Sequence, residues 1–480
     1  MIIEREFDVS IKKISIKNFK NIEEGELSLK TGNRPGAAEL LGIFGQNGTG
    51  KTGVIESLEI LKSLMMSLRI KRDFAEKIYK DKENAEFVFE LELQSKESGD
   101  LSYSVFYGFK LSQAQEEIFT EKNDIQTISV PNIIDEYLKI PRTGKTALTI
   151  TISRDPNTLL SATPKKYFPK LLKKTEGPQT APLIIEREKT YDKSMSYLFS
   201  SKFLTFLNEF EEEDSKLVFL IIKVLQSYAI QNLFVVTTRE SALNTLGLLP
   251  VPFNLHHKKE LNYGMFSFDL GEYKKVPGTA LPILRKLVSQ LNLVLTQLIP
   301  GMELRLEEKG TDVNEKGEEV RAVYLSSLRG GKKFPLKYES EGIRKIISIL
   351  QLLILVYNRK GITVAIDEID SGIFEYLLGE LLFLIQDGGK GQLIFTCHNL
   401  RPLEMLSHKS IVFSSTDPNH RFVHYNGVQK TNNLRDLFYR EIMVGLQDKP
   451  LYQRTNNSDI SIALKLAGRI DYEDSTTYGL

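Results

Sequence analysis

The chain has 480 residues, 41% of them hydrophobic, which is enough for two or three domains with real cores and excludes a disordered polymer. Its 63 basic and 62 acidic side chains leave a formal charge of +1, so no whole-molecule field attracts polyanions and any nucleic-acid surface must be a local patch. The single cysteine, Cys397, excludes an internal disulfide or a cysteine zinc site, and the start MIIEREFDVS carries acids where a secretory signal needs an apolar core, which points to the cytoplasm.

Residues 11–20 (IKKISIKNFK) alternate apolar and polar side chains as a half-exposed strand does, and Leu27 with Leu29 suggests a second strand. Leu40 to Phe44 reads as a short buried strand, followed by a glycine-rich turn and a helix from Thr52 to Leu68. A strand meander fits 85–93 and 103–111, with Ser98-Gly99-Asp100 as its turn. From 123 to 300, proline-bearing connections alternate with expected helices at 194–210, 215–227 and 281–298, the pattern of a mostly helical insertion. Two strand-like runs between Glu303 and Leu325 flank a polar, glycine-bearing hairpin tip. The α/β alternation then returns as helix 342–357, strand 362–366, helix 373–386 and strand 392–396. The apolar run from Ile343 to Tyr357 is broken by Arg344 and Lys345 and is shorter than the roughly 20 residues that span a bilayer, so it reads as a buried helix and no membrane is expected.

Four short motifs carry chemistry. Gly45-Gln46-Asn47-Gly48-Thr49-Gly50-Lys51-Thr52 fits G-x-x-x-x-G-K-[ST] between a strand and a helix, where backbone N–H groups and the helix N-terminus can cradle a phosphate. Lys51 is expected to reach the β and γ phosphates, and the Thr52 hydroxyl to bind Mg2+, a hard ion that prefers oxygen. The strand ITVAI ends in Asp367, a candidate Mg2+ ligand through its water shell, and Glu368, a candidate base for the attacking water. Glu339-Ser340-Glu341-Gly342 opens the apolar helix; taken alone Ser340 reads as a plain N-cap, and beside the other motifs Ser340 with Gly342 is a candidate second anion site at a helix start, placed to serve a neighbour's ATP. The strand Leu393 to Thr396 leads to His398, which could hydrogen-bond the γ-phosphate. A second Gly144-Lys145-Thr146 triplet lacks the first glycine and precedes a strand-like TALTITI, so no phosphate role is assigned to it.

With these motifs in this order, the chain resembles the ABC-type ATPases of the SMC/RecF/OLD group over residues 9–120 and 320–440. The resemblance implies an α/β fold, an ABC/SMC-like P-loop ATPase head split by a mostly helical inserted domain. Its expected parts are an N-terminal lobe at 1–122, the insertion at 123–300, a C-terminal lobe at 301–430 and a tail at 431–480. It further implies ATP and Mg2+ as cofactors and Glu368 and His398 as catalytic residues. Asp370 and Ser371 would form the loop by which two heads sense each other. The Ser340 motif departs from the common LSGGQ form, which bears on the rate of hydrolysis, and Gln94 is the candidate for a Q-loop glutamine. The tail sequence NNLRDLFYREI is similar to standalone bacterial ATPases of anti-phage systems such as PARIS and Septu, implying a homodimer or higher homo-oligomer that controls a separate nuclease or toxin effector. The tail after His398 shows no apolar strand followed by D-x-D, so a built-in TOPRIM nuclease is not expected.

A DNA-binding repair ATPase of the RecF/SMC kind is the alternative and would need a basic groove. The best candidate is TPKKYFPKLLKK at 163–174, which also reads as a solvated helix face with Tyr167 and Phe168 as anchors.

Overall fold

A computed structural model of the chain describes residues 7–29, 37–79, 81–97, 101–119, 125–175, 180–241, 248–257, 260–313, 317, 319–424, 433–444, 451–452 and 456–467. The strands are β1 (Phe7–Phe19), β2 (Ile22–Ser28), β3 (Glu39–Phe44), β4 (Asn84–Ser95), β5 (Ser102–Phe119), β6 (Ile125–Arg142), β7 (Lys145–Ser153), β8 (Ser161–Thr163), β9 (Leu233–Val236), β10 (Leu248–His257), β11 (Glu260–Asp269), β12 (Lys274–Pro277), β13 (Met302–Val313), β14 (Glu319–Arg329), β15 (Lys332–Pro335), β16 (Thr363–Ile366), β17 (Gln392–Thr396), β18 (Ile411–Ser414) and β19 (Phe422–Val423). The helices are α1 (Lys51–Met65), α2 (Pro169–Lys174), α3 (Ala181–Asp192), α4 (Ser201–Leu207), α5 (Glu213–Gln231), α6 (Thr238–Ser241), α7 (Leu281–Leu298), α8 (Glu341–Asn358), α9 (Glu375–Gly388), α10 (Pro402–Met405), α11 (Leu434–Val444) and α12 (Asn457–Ala467).

The inner sheet runs β19-β18-β3-β17-β16-β9, parallel except at β19. Its strands are short apolar runs because both faces are covered. Alternate residues of one strand enter different cores: Ala365 and Ile394 face the core that also holds Val54 and Leu58 of α1, while Val364, Ile366 and Phe395 face the core with α7, α8 and α9. On the α1 side lies an antiparallel sheet, β2-β1-β4-β5-β6-β7-β8. A smaller sheet, β12-β14-β13 with β15 on β14, and the hairpin β10–β11 complete the strands.

The expected mostly helical insertion over 123–300 is not what the structure shows. Strands β6 to β8 extend the antiparallel sheet, β9 joins the inner sheet beside β16, and β10 to β12 add further pairing. The prolines of this segment are accommodated within a strand: Pro131 lies in the part of β6 that pairs β5 but precedes its pairing with β7, and Pro141 lies at the register shift between Ile140 and Arg142. Proline is tolerated at such edges and bulges because no ladder N–H is required there. The helix expected at 194–210 begins only at Ser201, because the N–H groups of Tyr197 and Leu198 donate to Glu136 instead of to a helical carbonyl. The Ser200 side chain caps it, accepting from Phe203 N at 3.1 Å. The tail does contain an apolar strand, β18, followed by Ser415-Thr416-Asp417 and not by D-x-D. The Ser98-Gly99-Asp100 turn lies outside the described residues, as does most of the tip between β13 and β14.

Glu136 fastens the segment after α3 to the antiparallel sheet. Its carboxylate has no exposed surface and accepts from Tyr107 Oη at 2.9 Å, Tyr191 Oη at 3.1 Å, Ser196 Oγ at 2.5 Å and the N–H groups of Tyr197 and Leu198, both at 2.8 Å. Burial still pushes this carboxyl above its ordinary value, although each donor pulls it down. Removing the acceptor would orphan buried donors at about 1–3 kcal/mol each. Glu136→Ala is therefore expected to lower unfolding stability by at least about 3 kcal/mol in urea titrations, whereas Glu117→Ala, at an exposed position of β5, stays within about 0.5 kcal/mol. Equal, small shifts for the two variants would contradict the anchoring role.

Candidate functional site

The C-terminal ends of parallel strands open onto one edge of a sheet, and loops leaving that edge converge. Here β3 runs into Gly45–Thr52, β16 into Asp367 and Glu368, β17 into Cys397 and His398, and β9 into Thr238. Three of the four sequence motifs and one unforeseen turn therefore meet at one place.

The 45–52 turn curls because its glycines take conformations that side chains resist: φ is 145° at Gly45, 79° at Gly48 and 87° at Gly50. Crowding adds to this at Gly45, where a Cβ would stand 2.2 Å from Ser414 Oγ. Ser414 and Thr49 share a hydrogen bond at 2.6 Å, and Ser414 Oγ also donates to Phe44 O at 3.1 Å. Arg421 donates to Ser415 O at 2.7 Å and to Asn21 O, while Asn21 Nδ2 donates to Gly48 O at 2.6 Å. The strand β18 and the segment after it thus brace the turn. Lys51 is buried and donates to Gly45 O at 2.8 Å and Gln46 O at 2.9 Å. Burial draws its ammonium below the ordinary lysine range, against the opposing pull of Asp367, Glu368 and Asp370.

Asp367 is fully buried and is held by hydroxyls from three directions. Thr396 Oγ1 donates to its Oδ1 at 2.6 Å, Thr52 Oγ1 lies 3.4 Å from the same oxygen, and Thr238 Oγ1 donates to Oδ2. Two hard oxygen donors, the Thr52 hydroxyl and the Asp367 carboxylate, thus face each other, and this donor set fits Mg2+. Glu368 has φ 47°, the left-handed region that non-glycine residues avoid. Such strain persists where its surroundings fix it: Glu368 N donates to Thr396 Oγ1 at 2.7 Å, and Ser371 N to Glu368 O at 3.1 Å.

A cleft of about 580 Å³ is lined by Asn47, Gly48, Gly50, Lys51, Thr52, Glu368 and His398, with Lys20, Asn21, Lys77 and Ile78 on the facing wall. Ser340 and Gly342 are not part of this lining. Ser340 is exposed and caps α8, accepting from Ile343 N at 3.3 Å. Gly342 is buried, and a Cβ there would lie 1.8 Å from Gly372 O, so close backbone packing already requires glycine. Asp370 Oδ2 accepts from the N–H groups of His398 at 3.0 Å and Asn399 at 2.8 Å, fixing the loop that carries the histidine. Gln94 is not at the cleft: it pairs with Asp8, at the opposite end of β1 from Phe19 and the Lys20-Asn21 turn. Gly144-Lys145-Thr146 forms the exposed turn between β6 and β7 and the start of β7. In the basic run, Phe168 belongs to the core and Tyr167 sits under Arg142, whose guanidinium is 4.5 Å from the ring centre, so these aromatics act as anchors. Thr238, Thr396, Ser414 and Arg421 had no sequence signal beyond residue type, since each acts across strands remote in the chain.

No protein-family model matches the chain, and no curated protein does. Among solved structures, the chain is similar to the Smc head domain with a coiled coil and joint from Pyrococcus yayanosii, at 10% identity and a TM-score of 0.40, covering 91% of this chain and 100% of that one. It is similar to the SMC head domain of Thermotoga maritima at 11% identity and a TM-score of 0.31, covering 87% and 99%. It is also similar to the recombination mediator protein RecF with ATP at 12% identity and a TM-score of 0.30, covering 81% and 94%. At these values nothing about activity or partners follows from the likeness. No helix among the described residues is long and apolar enough to cross a membrane.

Because the Thr396 hydroxyl orients both Asp367 and the Glu368 backbone, Thr396→Val keeps the shape and removes the orientation. Loss of a ligand's supporting hydrogen bond typically weakens metal binding about 10-fold or more. If the cleft takes a nucleotide with Mg2+, the gain in nucleotide binding on adding Mg2+ is expected to fall by about that factor in Thr396→Val, with binding in chelator unchanged. Identical Mg2+ titrations for the two proteins would show that Asp367 does not hold the ion.

Proposed function

We propose that this chain is an ATPase that binds Mg-ATP in the cleft between residues 45–52 and 367–398. The observation that carries this reading is the convergence of Lys51, Thr52, Asp367, Glu368 and His398 at the ends of neighbouring parallel strands. The N–H groups of the 45–52 turn and the start of α1 receive the phosphates, and Lys51 leaves the loop carbonyls to neutralise them. Thr52 and Asp367 would hold Mg2+, which when bound spreads the charge on the β and γ phosphates. Glu368 orients the attacking water and takes its proton. The water oxygen bonds to the γ-phosphorus, the bond to the bridging oxygen breaks, and ADP and phosphate leave. His398 stands on the cleft wall as a hydrogen-bonding partner for the γ-phosphate.

In the same reading, two copies close head to head over the nucleotide, with Ser340 of each facing the ATP of the other. Support comes from Ser340 being exposed and outside its own chain's cleft, and from the aromatic surface around it. Tyr338 is 73% exposed, Phe374 69% and Tyr376 51%, a grouping that suits a surface covered by a second copy. Such an oligomer is proposed to act as a sensor that controls a separate nuclease or toxin effector in bacterial anti-phage defence, the setting implied by the sequence resemblance. A DNA-binding repair ATPase would use the same cleft and differ in its basic groove.

Glu368→Gln should keep ATP bound while slowing cleavage by orders of magnitude, and so trap the closed pair. Light scattering of this variant is expected to show ATP-dependent doubling of mass that ADP does not give. Adding Ser340→Arg should preserve nucleotide binding and abolish the doubling. A pair that forms equally without nucleotide, or that survives Ser340→Arg, would rule out shared ATP.

A further inference from the structure

The turn after β9 carries an arginine, just outside the residues that line the cleft, that no motif accounts for. β9 pairs in parallel with β16, Val236 opposite Ile366, and the ladder continues through Asp367 N donating to Val236 O at 2.9 Å. Thr238 thereby reaches the buried Asp367 carboxylate, and Arg239 follows one residue later, about 3.8 Å along the chain. We propose that Arg239 reads the γ-phosphate of ATP bound in its own subunit, separating ATP from ADP. This rests on the ATP reading of the cleft given above.

The charges around the cleft single this residue out. Lys51 is engaged by two loop carbonyls. Lys20 and Lys77 lie 2.7 and 3.1 Å from the Glu56 carboxylate, and Lys77 also lies 2.8 Å from Asp73 Oδ2. Arg239 is 3.9 Å from that same Asp73 oxygen, at the outer limit of an ion pair, and its side chain is 76% exposed. Asp73 is therefore already neutralised at closer range by Lys77, and the guanidinium gains little by staying. Its position still matters: Asp73 lies on the 3-10 helix Arg72–Lys77, whose Glu76 and Lys77, with Ile78 beyond, form the cleft's facing wall. Arg239 thus follows in the chain the hydroxyl that holds Asp367 and approaches in space the helix whose end lines the cleft, within an arginine side chain's reach of both. A γ-phosphate beside that ion offers the paired anionic oxygens a planar guanidinium binds with two N–H donors, and ADP lacks them.

The test is equilibrium binding of ATP and ADP, each with Mg2+, to the full chain and to three variants. Arg239→Ala is expected to weaken ATP binding about tenfold or more while leaving ADP binding and the melting temperature unchanged. Arg239→Lys should fall between, since it keeps the charge and loses the fork. Asp73→Asn should retain the preference for ATP, whereas a guanidinium that mattered only through Asp73 would make Asp73→Asn behave as Arg239→Ala does. If wild type binds both nucleotides and Arg239→Ala keeps the wild-type ratio of ATP to ADP affinity, the inference is overturned and the ATP reading stands. If wild type binds neither nucleotide, the reading of the cleft falls and the inference with it.

Discussion

A carboxylate buried without compensation would cost several kcal/mol, and the site is built around one that is fully buried, Asp367. Its compensation comes from α1 through Thr52, from the turn after β9 through Thr238, and from the end of β17 through Thr396. Each hydroxyl belongs to a different element, so the same atoms that make the charge tolerable fix the relative positions of the phosphate turn, the edge strand and the histidine-bearing loop. Two buried lysines complete the balance. Lys51 and Lys345 are both drawn below the ordinary lysine range by burial, and both are opposed by Asp367, Glu368 and Asp370. Lys345 lies on α8, one helical turn beyond Gly342, which links the start of that helix electrostatically to the cleft.

A site this dependent on relative strand positions needs its strands clamped, and the clamps are polar contacts between sheets. Gln392 at the start of β17 exchanges hydrogen bonds with the Ile11 backbone, N–H and C=O both at 2.8 Å, and accepts from Thr363 at 2.8 Å, with Tyr228 donating to Thr363 at 2.7 Å. The inner sheet is thereby locked to the antiparallel sheet and to α5. At the opposite end of the strands, Ser414 and Arg421 seat the phosphate turn, and the Gly342–Gly372 approach seats the start of α8 against the loop after Glu368.

What the sequence made legible follows from how local each signal is. The phosphate turn, the strand ending in Asp367-Glu368 and the long apolar helix α8 are continuous in the chain, and periodicity with glycine placement locates them within a few residues. The strands of segment 123–300 are not legible in the sequence because their information is not local. β6 carries two prolines at positions that are harmless only when the pairing of its neighbours is known. β9 is a four-residue apolar run that only its place beside β16 distinguishes from any other. Thr238, Thr396 and Ser414 are ordinary hydroxyl residues until the sheet order β18-β3-β17-β16-β9 brings them to the phosphate turn and to Asp367. Gln94 failed as a candidate for the same reason, since only strand register shows which end of a sheet a residue occupies.

If this cleft takes up ATP through the 45–52 turn, Lys51→Ala abolishes that uptake. The substitution removes the buried cation that lines the cleft, and a cooperative melt of the variant shows that it is folded. Calorimetric titration with Mg-ATP is predicted to show one nucleotide bound per chain in wild type and no measurable binding in Lys51→Ala. Equal binding by the two proteins, or none by a folded wild type, would show that the 45–52 turn is not a nucleotide site.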